Sequence, residues 1–229
     1  MPAGAVVPIP CDVPPYRLSG AVYGALLNHR SALALLGQAV HAPPYRAPPQ
    51  APVLCVKPRN TLAGPDTVVR IPADAEEVEV GANVGLVIGR AACRVPESRA
   101  LDFVAGYLIV ADVSLPLASH FRPGVRLKAR DGFCPLGPAV ADPHGIDSDA
   151  LTVEVFLDGA RVQSATTTDL IRPTARLLAD VTEFMTLSAG DVLALGAAAP
   201  APRARPGQIL RIEVPGIGVL SCRFEREAA

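Results

Sequence analysis

The sequence has little of what marks a nucleic-acid-binding or membrane protein. Its 21 Lys and Arg against 22 Asp and Glu leave a formal net charge of −1. That balance gives no basic footprint for nucleic acid and no polybasic run that would seek a membrane. No apolar stretch reaches membrane-spanning length, and the N-terminus shows no cationic start followed by an apolar run of signal-peptide length. The expectation is a cytoplasmic protein with neither nucleic acid nor membrane as a partner. The five cysteines, Cys11, Cys55, Cys93, Cys134 and Cys222, are scattered and odd in number. None forms a Cys-x-x-Cys pair, and with four histidines no zinc spacing arises. Buried, reduced thiols are expected. Cys134 follows a Gly-Phe turn, but no histidine nearby in sequence supports a nucleophile there.

What is present fits a globular chain. Half of the 229 residues are hydrophobic and 19% are charged, enough for one sizeable core or two modest ones. The 24 prolines cluster at the N-terminus, at 43–52 and at 200–206, which predicts many loops and few long helices. Pro8, Pro10, Pro14 and Pro15 predict an extended or partly disordered arm over residues 1–18, with 19–229 as a single domain.

Along the chain, Ala21 to Leu27 is a short apolar run suited to a strand. Asn28-His29-Arg30-Ser31 breaks it, with Ser31 the expected N-cap of a helix over Ala32 to Val40. Val53 to Lys57 reads as a strand ending at Pro58. Val78 to Gly89 alternates in its first half and is continuously apolar in its second, as a half-buried strand entering a buried one. Glu97 to Tyr107 predicts a helix with Leu101, Val104 and Ala105 on one face, followed by a strand over Leu108 to Val113. Leu151 to Leu157 ends at Asp158-Gly159, a hairpin signal. Pro173 to Met185 is the strongest helix pattern, with Pro173 in the first turn and Ala175, Leu178, Val181 and Met185 at helical spacing. Val192 to Leu195, Ile209 to Val214 and Gly218 to Phe224 complete the strands, the last two about Pro215-Gly216. No internal repeat and no alternating βα register is present, so the expected class is α+β, mainly β.

The stretch from Gly106 to Pro138 carries the chemistry. The apolar run Tyr107 to Val110 leads to Asp112, and a cationic segment follows with His120, Arg122, Arg126, Lys128 and Arg130. An acid at the end of a buried strand followed by cations suits a pocket for a dianionic substrate. The same residues taken alone also fit a solvated basic loop.

The wording of several segments carries a resemblance. Ala111-Asp112-Val113-Ser114-Leu115-Pro116, Phe121-Arg122-Pro123 and the Lys128 to Gly137 run KARDGFCPLG resemble the fumarylacetoacetate hydrolase family. Leu27-Asn28-His29-Arg30-Ser31, Lys57-Pro58-Arg59-Asn60-Thr61, Val104-Ala105-Gly106-Tyr107 and Glu183-Phe184-Met185-Thr186-Leu187 match in the same order. Within that family the likeness is to the N-terminal half or subunit of the bifunctional isomerase/decarboxylases of homoprotocatechuate (4-hydroxyphenylacetate) degradation. It implies a mixed β-sandwich roll.

The resemblance also implies a chemistry. Members act on 2-oxo or enolisable dicarboxylic acids, with a divalent cation, usually Mg²⁺, stabilising an enolate. Mg²⁺ wants hard oxygen ligands, supplied by a Glu-x-Glu pair on one strand and an Asp on a later one. Here the Asp is Asp112, whereas the two Glu positions fall on Gly81 and Asn83. A weak or absent metal site is therefore implied. Lys128 matches the family lysine that polarises substrate or serves in acid–base work, and as a pocket lysine its pKa is expected to be depressed by burial. Arg122, Arg130 and Arg59 are candidates to clamp a carboxylate, because guanidinium presents a bidentate fork. The family's His-Glu dyad falls on Ala32 and Leu35, and its Gly-Thr-Pro turn on Gly196-Ala197-Ala198. The implied role is a subunit of a 2-hydroxyhepta-2,4-diene-1,7-dioate isomerase / 5-carboxymethyl-2-oxo-hex-3-ene-1,7-dioate decarboxylase. The alternative is a non-catalytic subunit that stabilises a metal-binding homologue. The implied assembly is a homodimer or a heteromer with that homologue.

Overall fold

The computed structural model describes residues 6–8, 21–117, 119–120, 124–137 and 139–228. Its strands are β1 (Val6–Pro8), β2 (Val22–Leu26), β3 (Val53–Lys57), β4 (Leu62–Ala63), β5 (Val68–Ile71), β6 (Val78–Ile88), β7 (Val104–Ser114) and β8 (Cys134–Pro135). They continue as β9 (Ala139–Ala141), β10 (Thr152–Leu157), β11 (Ala160–Thr166), β12 (Val192–Ala194), β13 (Arg203–Ala204), β14 (Ile209–Val214) and β15 (Gly218–Arg226). The α-helices are α1 (Arg30–Leu36), α2 (Val125–Lys128) and α3 (Thr174–Phe184). One sheet runs β1-β9-β7-β6-β12-β2-β3 with β13 also on β6, and a second runs β11-β10-β14-β15-β5. β4 and β8 form a small parallel pair. This mainly-β, mixed-sheet α+β architecture is the one expected. Among the described residues, no helix is long and apolar enough to cross a membrane.

The core follows from strand parity. Side chains alternate across a strand, and Val78, Val80, Ala82, Val84, Leu86 and Ile88 of β6 all enter the main core with Tyr107, Ile109, Ala111 and Val113 of β7. The second sheet supplies Val155, Leu210, Ile212, Leu220 and Phe224 to the same core. On the opposite face of β6 and β7, Val87, Leu108 and Val110 pack beneath Leu62 and Cys134 of the small pair and Leu136 just after it. Towards the other end of that face apolar residues give way to Glu79, Gly81, Asn83, Asp112 and Ser114. The change from alternating to continuous burial along β6 is therefore where one face passes from cavity to core.

Several local expectations needed correction. The helix expected over Glu97 to Tyr107 is a 3-10 segment, Glu97–Phe103, and Val104 and Ala105 already belong to β7. The β-branched and aromatic run that follows favours a strand and extends it backward. Gly106 is required there, since a Cβ would lie 2.3 Å from the Ala141 carbonyl of the crossing β9. The helix after β2 begins at Arg30 and is capped by His29, not by Ser31. His29 Nδ1 accepts from the Ser31 N–H at 3.2 Å, which leaves Nε2–H to donate to the Thr166 carbonyl at 3.3 Å. Burial holds the His29 pKa below its ordinary value, against the opposing pull of Thr166 and Asp169. Of the expected N-terminal arm, Val6–Pro8 pairs antiparallel with β9, and the rest lies outside the described residues. Cys134 and Cys222 are buried as expected, Cys55 is half-buried, and Cys93 is exposed because it sits in a surface turn after β6. Cys11 lies outside the described residues.

Candidate active site

The polar end of the β6–β7 face opens into a cavity of about 380 Å³. Register places Gly81 opposite Asp112, Glu79 opposite Ser114 and Asn83 opposite Val110. Asp112 thus reaches the cavity from strand parity alone. The α1 side contributes Ala32, Leu35 and Leu36, and the Ala197 to Ala201 segment closes another wall.

Asp112 is held by two lysines. Lys128 Nζ donates to Oδ2 at 2.6 Å, and Lys57 Nζ stands 2.7 Å from Oδ1. Lys57 is 1% exposed, so its ammonium has no water to rely on. Its three protons have three backbone carbonyls as acceptors: Val113 at 2.6 Å, Lys128 at 2.9 Å and Phe133 at 3.0 Å. An ammonium has three donors. The approach to Asp112 Oδ1 is therefore chiefly a charge contact, and among the described residues Oδ1 is buried with no well-aligned hydrogen-bond donor. Lys57 neutralises Asp112 while tying the end of β7, the end of α2 and the turn before β8 to one point.

The electrostatics correct one expectation. Burial does act to lower the Lys128 pKa, but the adjacent Asp112 charge more than offsets it, and the ammonium is held above its ordinary range. Burial would likewise raise the Asp112 pKa, and the charges of Lys128 and Lys57 together bring it below the usual value. Counting Lys57, Asp112 and Lys128, the cluster carries one net positive charge. Among the described residues Lys128 Nζ makes one hydrogen bond, to Asp112, so its remaining protons can serve a ligand in the cavity.

The other expected cations are distributed differently. Arg59 is exposed on the 3-10 turn Arg59–Thr61, and Arg130 is half-buried, its Nε without a hydrogen-bond partner among the described residues. Neither lines the cavity. Arg122 lies outside the described residues. Arg203 does line the cavity, bonded to Glu77 at 2.6 Å and to Glu79 at 3.4 Å, with its side chain 55% exposed. Only the pairing of β13 with β6 brings it there, and no local sequence signal announces it. Lys57 had a signal in the sequence: it ends a strand immediately before Pro58, and the family resemblance implies that such a Lys-Pro pair helps form the pocket wall. His120 lines the cavity as well. Its pKa is lowered, first by burial and then by Lys128, and among the described residues its buried Nδ1 has no hydrogen-bond partner. Burial pushes the Cys134 thiol up to about 12, which removes it as a nucleophile at neutral pH.

Residues 21–225 match the family described as fumarylacetoacetate (FAA) hydrolase C-terminal. The chain belongs to the fumarylacetoacetate hydrolase family. Family relatives include the 4-hydroxyphenylacetate degradation bifunctional isomerase/decarboxylase of Escherichia coli, 38% identical over 87% of this chain and 46% of the relative. The chain spans about half the length of these curated relatives. The 5-carboxymethyl-2-hydroxymuconate delta-isomerase of Mycobacterium smegmatis superposes with a TM-score of 0.80 at 29% identity, covering 93% of this chain and 81% of that one. The maleylpyruvate hydrolase of a Sphingobium species, solved with manganese(II) and pyruvate, shares the fold at a TM-score of 0.74 and 23% identity, over 91% of this chain and 71% of its own.

The residues of this chain do not suit such a cation. Gly81 has no side chain, and a Cβ there would meet Ala197 Cβ at 3.2 Å. The Asn83 amide oxygen already accepts the Gly196 N–H at 2.7 Å. Asp112 is neutralised by two ammonium groups, and Glu79 is engaged by Arg203. Among the described residues no group of three His, Cys, Asp or Glu side chains could hold a metal ion. A hard divalent cation needs several oxygen ligands, and the two lysines beside Asp112 oppose its charge.

Proposed function

We propose that residues 19–229 form one domain that serves as a subunit of a 2-hydroxyhepta-2,4-diene-1,7-dioate isomerase / 5-carboxymethyl-2-oxo-hex-3-ene-1,7-dioate decarboxylase in cytoplasmic 4-hydroxyphenylacetate catabolism. Its ligand is a small dicarboxylic 2-oxo acid. The observation that carries this reading is the buried Lys57–Asp112–Lys128 cluster, with an excess positive charge at the cavity. Lys128 holds a substrate carboxylate or enolate oxygen by a charge-assisted hydrogen bond. Asp112 keeps that lysine protonated, and Lys57 fixes both. The metal-dependent step belongs to a homologous partner subunit with a full carboxylate set.

Gly81 and Asn83 favour a second reading, a non-catalytic subunit that stabilises the metal-bearing homologue. The two readings separate in one experiment. Isomerase and decarboxylase turnover is measured for the pure chain, for the partner alone and for the co-expressed complex, all in Mg²⁺. The first reading expects the complex to exceed the partner, with that excess lost in Lys128→Met. An excess untouched by Lys128→Met supports the structural subunit. Robust turnover by the pure chain, or failure to co-purify with the homologue, overturns both.

A further inference from the structure

A second cavity adjoins the candidate site. It measures about 290 Å³ and lies between the edge strand β3 and the α2 turn. Val53, Leu54, Cys55, Val56, Leu117 and Val125 line it. It shares Leu26, Leu117, His120 and Lys128 with the first cavity, so the two meet at the lysine. Among the described residues that line it, Lys128 alone carries a fixed charge. Val56 is 51% exposed and Val125 65% exposed, so apolar side chains stand in water around an apolar hollow. Size is sufficient for a ring, since an apolar cavity of about 150 Å³ takes up benzene. A few polar groups in a mainly apolar hollow is the usual make-up of a small-molecule site.

We propose that this cavity is a second compartment of the candidate site and receives the uncharged alkyl or aryl arm of a 2-oxo acid whose carboxylate rests on Lys128. The inference rests on the reading that Lys128 faces an acid, and it widens the ligand class from dicarboxylic acids to 2-oxo monocarboxylic acids with an apolar arm. An uncharged arm matches the aliphatic side chains of Leu26, Val53, Leu54, Val56, Leu117 and Val125 that line the cavity. An apolar arm gains from burial, about fourfold in affinity for each methylene fully removed from water. Lys128 can serve both compartments because its bond to Asp112 uses one of its three protons.

The test is calorimetric titration of the full chain with pyruvate, 2-oxobutyrate, 2-oxopentanoate, 2-oxohexanoate and phenylpyruvate. Affinity is expected to rise at least tenfold from pyruvate to 2-oxohexanoate, with phenylpyruvate also above pyruvate. Val56→Glu, on the exposed rim of an edge strand, should reduce that rise to less than threefold. Val125→Glu, on the opposite rim, provides the same readout should the first variant fail to fold. If pyruvate binds through Lys128 but affinity is flat along the series, the second compartment is refuted and the reading of Lys128 stands. If no acid binds, or if binding is indifferent to Lys128→Met, that reading fails and takes the second compartment with it.

Discussion

Lys57 Nζ stands 2.7 Å from Asp112 Oδ1, yet its protons have the carbonyls of Val113, Lys128 and Phe133 as acceptors. The ammonium therefore acts on Asp112 through charge and on the backbone through hydrogen bonds. One side chain sets both the electrostatics and the shape of the site.

Removing Lys57 should accordingly be costly. Lys57→Met removes the ammonium donor from the carbonyls of Val113, Lys128 and Phe133, the last of which keeps the Val113 N–H, and halves the cationic support of Asp112. The expected loss is about 3 kcal/mol or more, read from urea unfolding. A loss below about 1 kcal/mol would show that the three segments hold together without the ammonium.

The depressed Asp112 pKa has a signed consequence. A group whose folded pKa lies below its unfolded value adds stability above the unfolded value, and that stability is lost as pH falls through the folded one. The ordinary value is 3.8. The urea midpoint of the wild type should exceed that of Asp112→Asn by a constant margin from about pH 5 to 8, and the margin should shrink below about pH 4. A margin independent of pH down to acid unfolding would contradict the ion cluster.

His120 reports on Lys128. Burial and then the lysine charge lower its pKa. Proton NMR of the imidazole should give a midpoint below 6.5, the ordinary value. Lys128→Met should move that midpoint upward. No change in the variant would place the two side chains out of electrostatic reach.

Metal binding offers a direct check of Gly81 and Asn83. Calorimetric titration of the isolated chain with Mg²⁺ or Mn²⁺ is expected to show no sub-millimolar site. A stoichiometric, tight isotherm abolished by Asp112→Ala would overturn the fit argued from the donor set.

The strands were largely legible in the sequence because apolar period and turn residues act locally. Alternation along Val78 to Gly89 fixed which residues of β6 face the core, and Asp158-Gly159, both with positive φ, made the β10–β11 hairpin. The same parity and the wording of the Lys128 to Gly137 run were enough to nominate Asp112 and Lys128. Tertiary structure alone decided what surrounds them. Lys57 meets Asp112 across 55 positions of chain, and Arg203 reaches the cavity only because β13 pairs with β6. The sign of the Lys128 shift is not legible in the sequence for the same reason. Burial can be anticipated from a pocket lysine, but the neighbouring charge that outweighs it is set by which strands lie side by side. Local pattern dictates a strand and its faces, whereas long-range pairing dictates the electrostatic neighbours of each side chain, and those neighbours determine the chemistry of the site.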